Sequence, residues 1–531
     1  MDKKHTITAA LPYANGALHL GHLAGAYLPA DIYARFLRLQ GKDVLFVCGS
    51  DEHGAAITIR AKKEGRTPQE IIDTYHNLNK DCFERLGISF DNYDRTSAKL
   101  HHETAQDFFL ALVNKGGQFE EKISDQYYDQ DYNQFLADRY ITGTCPKENC
   151  RHEEAFGDQC EKCGSTLSPT DLINPKSTLS GKSPVLKKTK HWYFKLDKHA
   201  SWLKEWIENG TANGIVTHNP EQWKKHVIGQ CSSWIDGGLH SRAITRDLSW
   251  GIPVPVEGGE GKVLYVWFDA PIGYISSTKQ WALNNDKDWE PYWKGENTEL
   301  IHFIGKDNIV FHCIVFPAML KAHGEYILPK NVPANQFLNL EGQKFSKSRG
   351  WVIEQHQYLN DFETFPNKED ALRYTLIRTL PENKDGDFKW DEFVALHDNE
   401  LVANLGNFVN RVISLTHKYY NGKTPQTNAK VAINDLEEGS TTKIEDAIKI
   451  VLTKINKLEK HILSFEFKNA IQTLMDISSY GNVLLQRNEP WKIWKQDPES
   501  DLVKSLMNLC LQIVASLSVL SEPFIPFTAQ K

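Results

Sequence analysis

HTITAALPYANGALHLGH, residues 5–22, combines a strand, a turn and the start of a helix. Residues 5–11 are apolar or β-favouring and predict a short buried strand, and the Pro-Tyr-Ala-Asn-Gly that follows predicts a turn. A helical pattern continues to Gln40, with a kink predicted at Pro29, and a second apolar strand is predicted at 44–48. A strand, a helix and a strand in about 45 residues predict a βαβ unit and hence a parallel sheet.

Later segments extend this pattern. Apolar stretches at 263–267 and 300–304 predict buried strands that resume the sheet, so the polar, turn-rich region from about residue 119 is predicted to be an insertion. From residue 391 the pattern is helical. Within 444–462 the aliphatic residues recur at alternating intervals of four and three, which places them on one face of a predicted bundle helix.

Composition limits the classes of protein to consider. The chain has 531 residues, with 61 Lys and Arg against 68 Asp and Glu, and the resulting net charge of −7 excludes nucleic-acid binding by bulk positive charge but not local recognition. No run of 18 apolar residues occurs, so no transmembrane helix is expected. The N-terminus lacks the apolar segment of a signal peptide. Nine cysteines without an export signal indicate a reducing, cytoplasmic location.

His19-Leu20-Gly21-His22 opens the first helix directly after the turn. Because the two histidines are three residues apart, both imidazoles lie on one helix face. The unpaired N–H groups and partial positive charge of a helix N-terminus favour an anion, and Gly21 allows a phosphate or a flat ring to approach the backbone. The segment predicts a nucleotide cradle; the alternative is a pair of surface histidines near a helix start.

A second candidate segment is the basic loop KFSKSRG, residues 344–350. Three cations and two hydroxyls in a loop that ends in glycine can fold over a polyphosphate. A lysine ammonium can follow the phosphate oxygens as charge develops in a transition state. The alternative is a solvated basic loop.

Four of the nine cysteines, Cys145, Cys150, Cys160 and Cys163, lie within 19 residues, and the other five are scattered. Four thiolates at this density predict a tetrahedral Zn²⁺ site that is closed and structural rather than catalytic. The alternative is four unrelated thiols.

Taken together, the two phosphate-binding candidates resemble the signature motifs of the class I aminoacyl-tRNA synthetases in order, separation and local context. Within that class, three strings resemble the methionyl-tRNA synthetases: ALPYANG at 10–16, VWFDAPIGY at 266–274, and FIGKD at 303–307 with Phe311 and His312 just after it. The predicted insertion is too short for the large editing insertions of the isoleucine and valine enzymes. The resemblance covers essentially the whole chain.

This resemblance implies an α/β fold: a Rossmann-like parallel sheet with a zinc-knuckle insertion, followed by an all-α helix bundle. The implied division is the first half of the catalytic domain at 1–118, a connective insertion with the knuckle at 119–235, the second half of the catalytic domain at 236–330, a linker domain with the basic loop at 331–390, and an anticodon-binding helical domain at 391–531.

Methionine is the implied amino-acid substrate, and its chemistry agrees with the residues. A thioether is polarizable, favours aromatic edges and accepts only weak hydrogen bonds, so its pocket should be aromatic with few polar groups. The Leu11 backbone and the Tyr274 hydroxyl would face the sulfur, and Asp51 would accept the ammonium group. For any single aromatic the alternative is ordinary core packing, and for Asp51 a turn residue. The implied methionine-binding residues are Leu11, Tyr13, Asp51, Trp267, Ala270, Pro271, Tyr274, Phe311 and His312.

The implied reaction is adenylation. The methionine carboxylate attacks the α-phosphorus of ATP, which is accompanied by Mg²⁺, and pyrophosphate leaves; the methionyl group then moves to the terminal adenosine of tRNA. Positioning and charge stabilisation should dominate, because no covalent enzyme intermediate is required. The implied catalytic residues are His19, His22, Lys344 and Lys347. The implied ATP-binding residues are Asn15, Gly21, Gly305, Asp307, Lys347 and Ser348.

The cysteine cluster departs from the family pattern. Family members have two residues between the first pair of cysteines, whereas four separate Cys145 from Cys150, so His152 is a candidate substitute for Cys150. Where some members have a second knuckle, this chain has Ser177-x2-Ser180, and one zinc per chain is therefore predicted. Three nearby lysines would contact the tRNA acceptor stem or simply be solvated: Lys187, Lys188 and Lys190.

Recognition of tRNA by the helical region must be local, by stacking and base-edge contacts, because 15 Lys and Arg stand against 17 Asp and Glu from residue 391 onward. By resemblance, Asn407, Arg411 and Trp491 match the anticodon readers; the alternative is a surface polar pair and a capping Trp. In the family, the segment at 523–531 leads to a further helix and often to a dimerising domain. We therefore expect a truncated chain that is monomeric as it stands, with a homodimer as the candidate state of the full-length protein.

The implied partners are L-methionine, ATP and tRNA(Met), including the initiator tRNA, with no membrane partner. Two alternatives stay open. One is another class I synthetase, such as the cysteine or leucine enzyme, and the other is a catalytically inactive, zinc-containing RNA-binding protein of the same fold.

Overall fold

The structure is a computed structural model and describes residues 3–136, 138–157, 160, 162–163, 165, 167–212, 214–346, 349–437 and 439–531. The chain forms two compact units. The sheet unit comprises Met1–Leu18, Leu45–Asp81 and Phe90–Val332, and the helical unit comprises His19–Val44, Cys82–Ser89 and Pro333–Lys531. Each unit draws on separate stretches of the chain, and the finer five-part division stays a prediction.

A parallel sheet lies at the centre of the sheet unit, as the sequence predicts. Its strands in this unit are ordered Thr298–Gly305, Lys4–Ala9, Asp43–Ser50 and Asn92–Arg95. Lys4–Ala9 pairs parallel with Thr298–Gly305, and Asp43–Ser50 pairs parallel with Asn92–Arg95. His5 to Ala9 are all buried, which explains why this strand lacks the alternation of a half-exposed one. The turns that follow these strands hold most of the residues singled out above.

The helices that lie wholly or partly in the sheet unit are Ala55–Glu64, Pro68–Arg85, Lys99–Lys115, Ala200–Asn209, Lys225–Asp236, Val266–Asp269, Ile272–Asn285, Glu290–Lys294, the π-helical turn Phe311–Val315, and Phe316–His323. Short 3₁₀ turns occur at Asp138–Tyr140, Pro169–Asp171, Leu196–His199, Pro220–Gln222 and Lys306–Asn308. Local sequence fixes several ends. Pro68–Arg85 begins with a capping box, in which Thr67 Oγ1 accepts from Glu70 N at 3.2 Å and Glu70 Oε2 accepts from Thr67 N at 2.8 Å.

The region between the two halves of the sheet contains antiparallel structure. A four-stranded sheet has the order Arg242–Ala243, Val185–Phe194, Phe119–Asp129 and Gln134–Phe135, and a three-stranded sheet has the order Ala155–Phe156, Ile141–Thr144 and Ile173–Ser177. A separate pair joins Thr211–Ala212 to Ile215–Val216. The small core beneath the three-stranded sheet includes Leu136, Ile141, Ala155 and Leu172 together with Cys145 and Cys160.

The prediction that residues 263–267 return to the main sheet is wrong. Val263–Leu264 instead pairs antiparallel with Thr245–Arg246, and Val266–Asp269 is a short helix. The carbonyl of Tyr265 accepts backbone hydrogen bonds at 2.7 and 3.1 Å from two residues of this helix, which turns the chain away from an extended course. A short apolar run has no periodicity that separates a buried strand from a buried helical turn.

The helical unit contains Leu20–His22, the π-helical turn Leu23–Tyr27, Leu28–Leu39, Gln355–Asp361, Lys368–Arg378, Trp390–Leu396, the π-helical stretch His397–Gly406, Asn407–Tyr420, Ile444–Leu463, Phe467–Asn488, Pro490–Gln496, Asp501–Ser521 and Pro526–Ala529. Its strands are Ala334–Asn335, Leu338–Leu340, Gln343–Lys344, Gly386–Phe388, Ala432–Asn434 and Thr441–Lys443. Pro29, where a kink is predicted, is the second residue of the helix Leu28–Leu39, which begins directly after the π-helical turn Leu23–Tyr27.

The bundle buries the stripe predicted for 444–462. Ile444, Val451, Leu458 and Ile462 are buried, whereas Ile448 is 39% exposed at the edge of the stripe. One helix of the described chain, Asp501–Ser521, is long and apolar enough to cross a membrane by length and composition alone. Residues along this helix, such as Val503, Leu506, Leu509, Ile513 and Leu517, are buried among its neighbours in the bundle.

A buried arginine joins distant stretches of the helical unit. Arg373 is fully buried, and its guanidinium donates to Asp31 Oδ2 at 2.7 Å, to the carbonyls of Phe524 and Pro523 at 2.9 and 3.0 Å, and to the Leu86 carbonyl at 3.2 Å. The charge is therefore paired and most of its N–H groups are satisfied, which is what allows an ion pair to be buried.

Candidate functional sites

A cavity of about 280 Å³ in the sheet unit, here called the amino-acid pocket, collects most of the predicted methionine-binding residues. Its lining includes Leu11, Asp51, Trp267, Ala270, Pro271, Tyr274, Phe311 and His312, and also Asp307. These residues come from the ends of two parallel strands, from the Val266–Asp269 and Ile272–Asn285 helices, and from the π-helical turn. The structure therefore brings together eight of the nine predicted residues.

One wall of the pocket is a hydrogen-bonded and uncharged pair. His312 Nδ1 lies 3.1 Å from the Asn308 carbonyl, which can only accept, so the ring proton sits on Nδ1. His312 Nε2, 2.8 Å from the Tyr274 hydroxyl, is then the acceptor and Tyr274 is the donor. Burial lowers the pKa of His312 to about 4 and raises that of Tyr274. This wall offers a thioether a polarizable surface without charge.

The opposite character is found at Asp51, a half-buried carboxyl group close to the fully buried carboxyl group of Asp269. His53 Nδ1 donates to Asp269 Oδ2 at 2.7 Å, and the His53 backbone N–H points to Asp51 Oδ1 at 3.5 Å. Burial, and then the Asp269 carboxyl, raise the pKa of Asp51, and burial raises that of Asp269. Burial lowers the pKa of His53 to about 4, so its ring is neutral near pH 7. The arrangement favours a bound cation, since a cation offsets the repulsion between the carboxylates.

The ninth predicted residue, Tyr13, lies beside the pocket. Its hydroxyl donates to the His53 carbonyl at 2.6 Å, and it lines a neighbouring cavity of about 170 Å³. Backbone hydrogen bonds of 2.8 Å from Ala14 N to Asp51 O and from Asp51 N to Pro12 O hold this turn against Asp51. The carbonyl of Asn15 accepts a hydrogen bond from the Arg60 guanidinium.

Sequence reasoning missed part of the pocket lining. Gln230 and Trp234, one turn apart on Lys225–Asp236, line the pocket, and the Arg242 guanidinium lies 5.1 Å from the rings of both Trp234 and Trp267. The i, i+4 spacing on an amphipathic helix was the available signal, but that spacing does not identify which surface the helix covers.

Gly305 ends the strand Thr298–Gly305, and Asp307 follows in an exposed 3₁₀ turn. A Cβ on Gly305 would lie 2.7 Å from Asp307 Oδ1, so glycine permits the carboxylate to fold back against the strand end. Asp307 was predicted to contact ATP, and it lines the same pocket as the predicted methionine-binding residues.

In the helical unit, His19 and His22 cap the helix that they begin. His19 Nδ1 accepts from Gly21 N at 3.1 Å, and His22 Nδ1 accepts from His19 N at 3.1 Å. Because both Nδ1 atoms accept, each neutral ring carries its proton on Nε2, the atom suited to donate to a phosphate oxygen. A Cβ on Gly21 would lie 2.9 Å from His19 Cε1 and 3.4 Å from the Phe345 ring, so this position needs glycine.

The basic loop lies partly within the described residues. Phe345 stacks on His19 with 4.6 Å between ring centroids and 6° between ring planes. Lys344 is exposed at the end of the strand Gln343–Lys344. Lys347 and Ser348, two of the predicted phosphate-binding residues, lie outside the described residues. The loop segment that is described therefore contacts the predicted nucleotide cradle through Phe345.

The four predicted cysteine ligands converge. Their Sγ atoms all lie within 4.8 Å of one another, with 3.9 Å between Cys145 and Cys163 and 3.6 Å between Cys150 and Cys160. Four Zn–S bonds of 2.3 Å in a tetrahedron would set the sulfurs about 3.8 Å apart, so the donor set fits a metal such as zinc. Cys150 completes this set. The substitute considered for it, His152, is not part of the cluster and contributes its carbonyl to Cys145 N at 2.8 Å.

The three predicted anticodon readers lie on the helical unit. Arg411, on Asn407–Tyr420, places its guanidinium 5.3 Å from the ring of Trp491. Asn407 is exposed, and its amide donates to Asn482 Oδ1 at 3.4 Å. Arg411 and Trp491 therefore already form a stacked pair that an unpaired base could extend.

Comparison with known proteins places these sites in a family context. Residues 5–413 match the family model described as class I tRNA synthetases (M), and residues 437–531 match the anticodon binding domain of methionyl tRNA ligase. A methionine–tRNA ligase of Flavobacterium johnsoniae is 57% identical over 529 residues, covering 100% of this chain and 71% of the relative. That of Bacteroides fragilis is 56% identical over 531 residues, covering 100% and 74%.

Among solved structures, Mycobacterium tuberculosis methionyl-tRNA synthetase in complex with methionyl-adenylate matches with a TM-score of 0.77 and 22% identity, over 99% of this chain and 92% of that one. At this identity the likeness concerns the fold, which confirms the Rossmann-like sheet followed by a helical region.

Proposed function

The chain belongs to the methionyl family of class I tRNA synthetases, and from that membership we propose that it is a methionine–tRNA ligase. It activates L-methionine with ATP to methionyl-adenylate and pyrophosphate, and then transfers the methionyl group to the 3′ end of tRNA(Met). The observation that carries the proposal is the amino-acid pocket, which has an uncharged Tyr274–His312 wall and the carboxyl group of Asp51, whose pKa is raised by burial and by the nearby Asp269 carboxyl.

Each end of methionine meets matching chemistry in this pocket. Asp51 accepts the α-ammonium group, whose positive charge relieves the repulsion from Asp269. The thioether lies against Tyr274 and His312, while Trp267, Phe311, Ala270 and Pro271 supply apolar contact. A lysine or arginine side chain would lose its hydration against this wall without gaining a counter-charge, so the pocket selects against cationic amino acids.

ATP is held by donors rather than by a covalent nucleophile. His19 and His22 donate Nε2–H to phosphate oxygens, beside Gly21, which leaves the backbone accessible. Lys344 and Lys347 stabilise the pyrophosphate that leaves, with Ser348 in the same loop. Asn15, Gly305 and Asp307 border the nucleotide, Asp307 at the ribose. Mg²⁺ bound with ATP would supply further charge neutralisation.

The four-cysteine site is proposed to hold one structural Zn²⁺, through Cys145, Cys150, Cys160 and Cys163. The sheet that carries these cysteines is small, rich in loops and without a large core. Zinc would stabilise it by cross-linking its loops. Asn407, Arg411 and Trp491 are proposed to recognise the anticodon, with Trp491 as the stacking surface. We also propose that the protein works in the cytoplasm, where its unpaired cysteines stay reduced.

The test is ATP–pyrophosphate exchange with each of the twenty amino acids, measured without tRNA. Methionine alone should drive exchange, and Lys347→Ala should lower its rate strongly. The matched control Lys423→Ala replaces an exposed lysine outside the predicted sites and should have no effect. Exchange with cysteine or leucine but not methionine would replace the proposal with another class I specificity. No exchange with any amino acid would favour the inactive RNA-binding alternative.

A further inference from the structure

Two tryptophans form part of the rim of the amino-acid pocket. Trp267 and Trp234 both line the pocket, and they are 39% and 38% exposed. Tyr274 and His312, which form the wall described above, are buried. Lining residues that remain accessible mark the side of a pocket that faces solvent, so the two indole rings border its opening.

A single arginine connects these two rings. The Arg242 guanidinium lies 5.1 Å from the ring centroid of Trp234 and 5.1 Å from that of Trp267, a distance at which a cation is attracted to the face of an indole. The backbone that carries the side chain is fixed, because the strand Arg242–Ala243 pairs antiparallel with Phe194 and Tyr193. Arg242 therefore links a ring on one helix to a ring on another.

The charge of Arg242 is stabilised by rings rather than by an acid. No carboxylate within the described part of the chain forms an ion pair with it. Burial lowers the pKa of the guanidinium, but an arginine stays protonated at neutral pH. A partly buried cation without a counter-charge is costly, and the electron-rich faces of two indoles offset that cost. The position therefore favours arginine for its planar, stacking group.

Two further rings contact Trp267. Tyr265 stacks on it with 5.8 Å between ring centroids and 28° between ring planes, and Phe311 meets it edge to face at 5.6 Å. Phe311 directly precedes His312, which belongs to the wall proposed for the thioether. Among the residues that the structure describes, the indole N–H groups of Trp234 and Trp267 form no hydrogen bond. The orientation of both rings therefore depends on stacking, and Arg242 is the contact that they share.

We propose that Arg242 is a positioning residue that holds the Trp234 and Trp267 rings at the opening of the amino-acid pocket and thereby limits the size of the side chain that the pocket accepts. This assignment rests on the proposed ligase function and adds a selectivity element to it. Arg242 is not one of the described residues that line the pocket, so it acts through the two rings. A ring that is held in place excludes a thioether with a larger alkyl group than methyl, because an added methylene enters a packed wall only if the wall moves.

The test compares Arg242→Ala and Arg242→Lys with the control Lys287→Ala. Lysine keeps the charge but lacks the planar group that stacks on rings. Lys287 is exposed, and its ammonium group lies 4.9 Å from the ring centroid of Trp281, so its removal deletes a cation–π contact away from the pocket. In pyrophosphate exchange, Arg242→Ala should raise KM for methionine about tenfold, Arg242→Lys should raise it by a smaller factor, and Lys287→Ala should leave it unchanged. KM for ATP should be the same in all three variants.

A second measurement separates positioning from a general loss of structure. The probe is the S-ethyl analogue of methionine, which has one more methylene on sulfur. The ratio of kcat/KM for methionine to kcat/KM for this analogue should fall about threefold in Arg242→Ala, and by less in Arg242→Lys. The lysine variant carries the test if the alanine variant does not fold, since its ratio should fall as well.

Three results would overturn the proposal: equal rises in KM for methionine and ATP, an unchanged ratio in both Arg242 variants, or the same changes in Lys287→Ala. Methionine-dependent pyrophosphate exchange by the unchanged chain is the separate check, since its failure would refute the ligase function itself.

Discussion

Asp269→Asn tests how the amino-acid pocket holds a cation. Asparagine keeps the shape of the side chain and an oxygen that accepts from His53 Nδ1, which is now 2.7 Å from Asp269 Oδ2. It removes the ionisable carboxyl whose charge raises the pKa of Asp51. The ring of His53 does not replace that charge, because burial lowers its pKa to about 4. The variant therefore removes one charge and can keep the hydrogen bond with His53.

The size of the repulsion between Asp51 and Asp269 depends on their separation, which is limited because both contact His53. Both carboxyl groups contact that single residue, through its backbone N–H and its ring. As a scale for such a pair, two carboxylates about 7 Å apart at an effective dielectric constant of about 20 repel each other by about 2.4 kcal/mol. Burial is the larger cause of the raised pKa of Asp51, and this repulsion from Asp269 raises it further, so its removal lowers the pKa.

The direction of the pH shift follows from the charged form of Asp51 that methionine binding requires. The ammonium group binds the ionised form of Asp51, so KM for methionine rises as pH falls through the raised pKa of Asp51. In Asp269→Asn that pKa moves toward its ordinary value, so the acid rise in KM should occur at a lower pH than in the unchanged chain. At high pH the variant should bind methionine more weakly, because it has lost one attracting carboxylate.

The assay is methionine-dependent pyrophosphate exchange from pH 5 to 9, with KM for ATP measured alongside. Asp94→Asn is the matched control: burial also raises the pKa of Asp94, but Asp94 is not among the charges that raise the pKa of Asp51. An unchanged pH profile in Asp269→Asn, or the same shift in the Asp94 variant, would refute the coupling between the two carboxyl groups.

Three further changes have defined outcomes. Tyr274→Phe removes the hydroxyl that donates to His312 Nε2. The lost hydrogen bond, about 1.4 kcal/mol, should raise KM for methionine about tenfold in pyrophosphate exchange and leave KM for ATP unchanged. Equal rises in both KM values would contradict the assignment of Tyr274 to the methionine site. Purified protein should carry one zinc per chain by mass spectrometry of metals, and Cys160→Ser should lose most of it; a zinc-free unchanged chain would refute the metal site. Asp31→Ala leaves Arg373 buried without its charge partner and should lower the free energy of unfolding by about 3–5 kcal/mol in urea titrations, a value that a loss under 1 kcal/mol would rule out.

The sequence predicts the amino-acid pocket well where short motifs carry it. Asp51 directly follows a strand of the parallel sheet, so local order places it at the end of that strand. Ala270, Pro271 and Tyr274 are grouped by the family string that contains them, because the strand expected before them does not join the main sheet. The His53–Asp269 pair is different, because 216 residues separate its members. Such a pair depends on which turns meet across the sheet, and neither periodicity nor composition encodes that meeting.

The fold shows the same division between local and tertiary signals. Periodicity predicts the βαβ start and the bundle helix Ile444–Leu463, because each buries a regular face. It misassigns 263–267, where a short apolar run is too brief to have a period. It also gives no sign of the hairpin formed by Ala432–Asn434 and Thr441–Lys443, whose residues are largely polar and exposed.

The buried Arg373 has a consequence for how the protein is made. About 490 residues separate Asp31 from Phe524, so at a synthesis rate of roughly 5–20 residues per second the Asp31 carboxylate emerges from the ribosome about 25–100 s before the last of these partners. Until then the helix Leu28–Leu39 has an uncovered apolar face that includes Ile32 and Phe36, while Asp31 already has Arg35 of the same helix as a charge partner. The nascent chain therefore depends on chaperones or on its own early collapse during that interval, and the helical unit completes its folding only after Pro523 and Phe524 have been made.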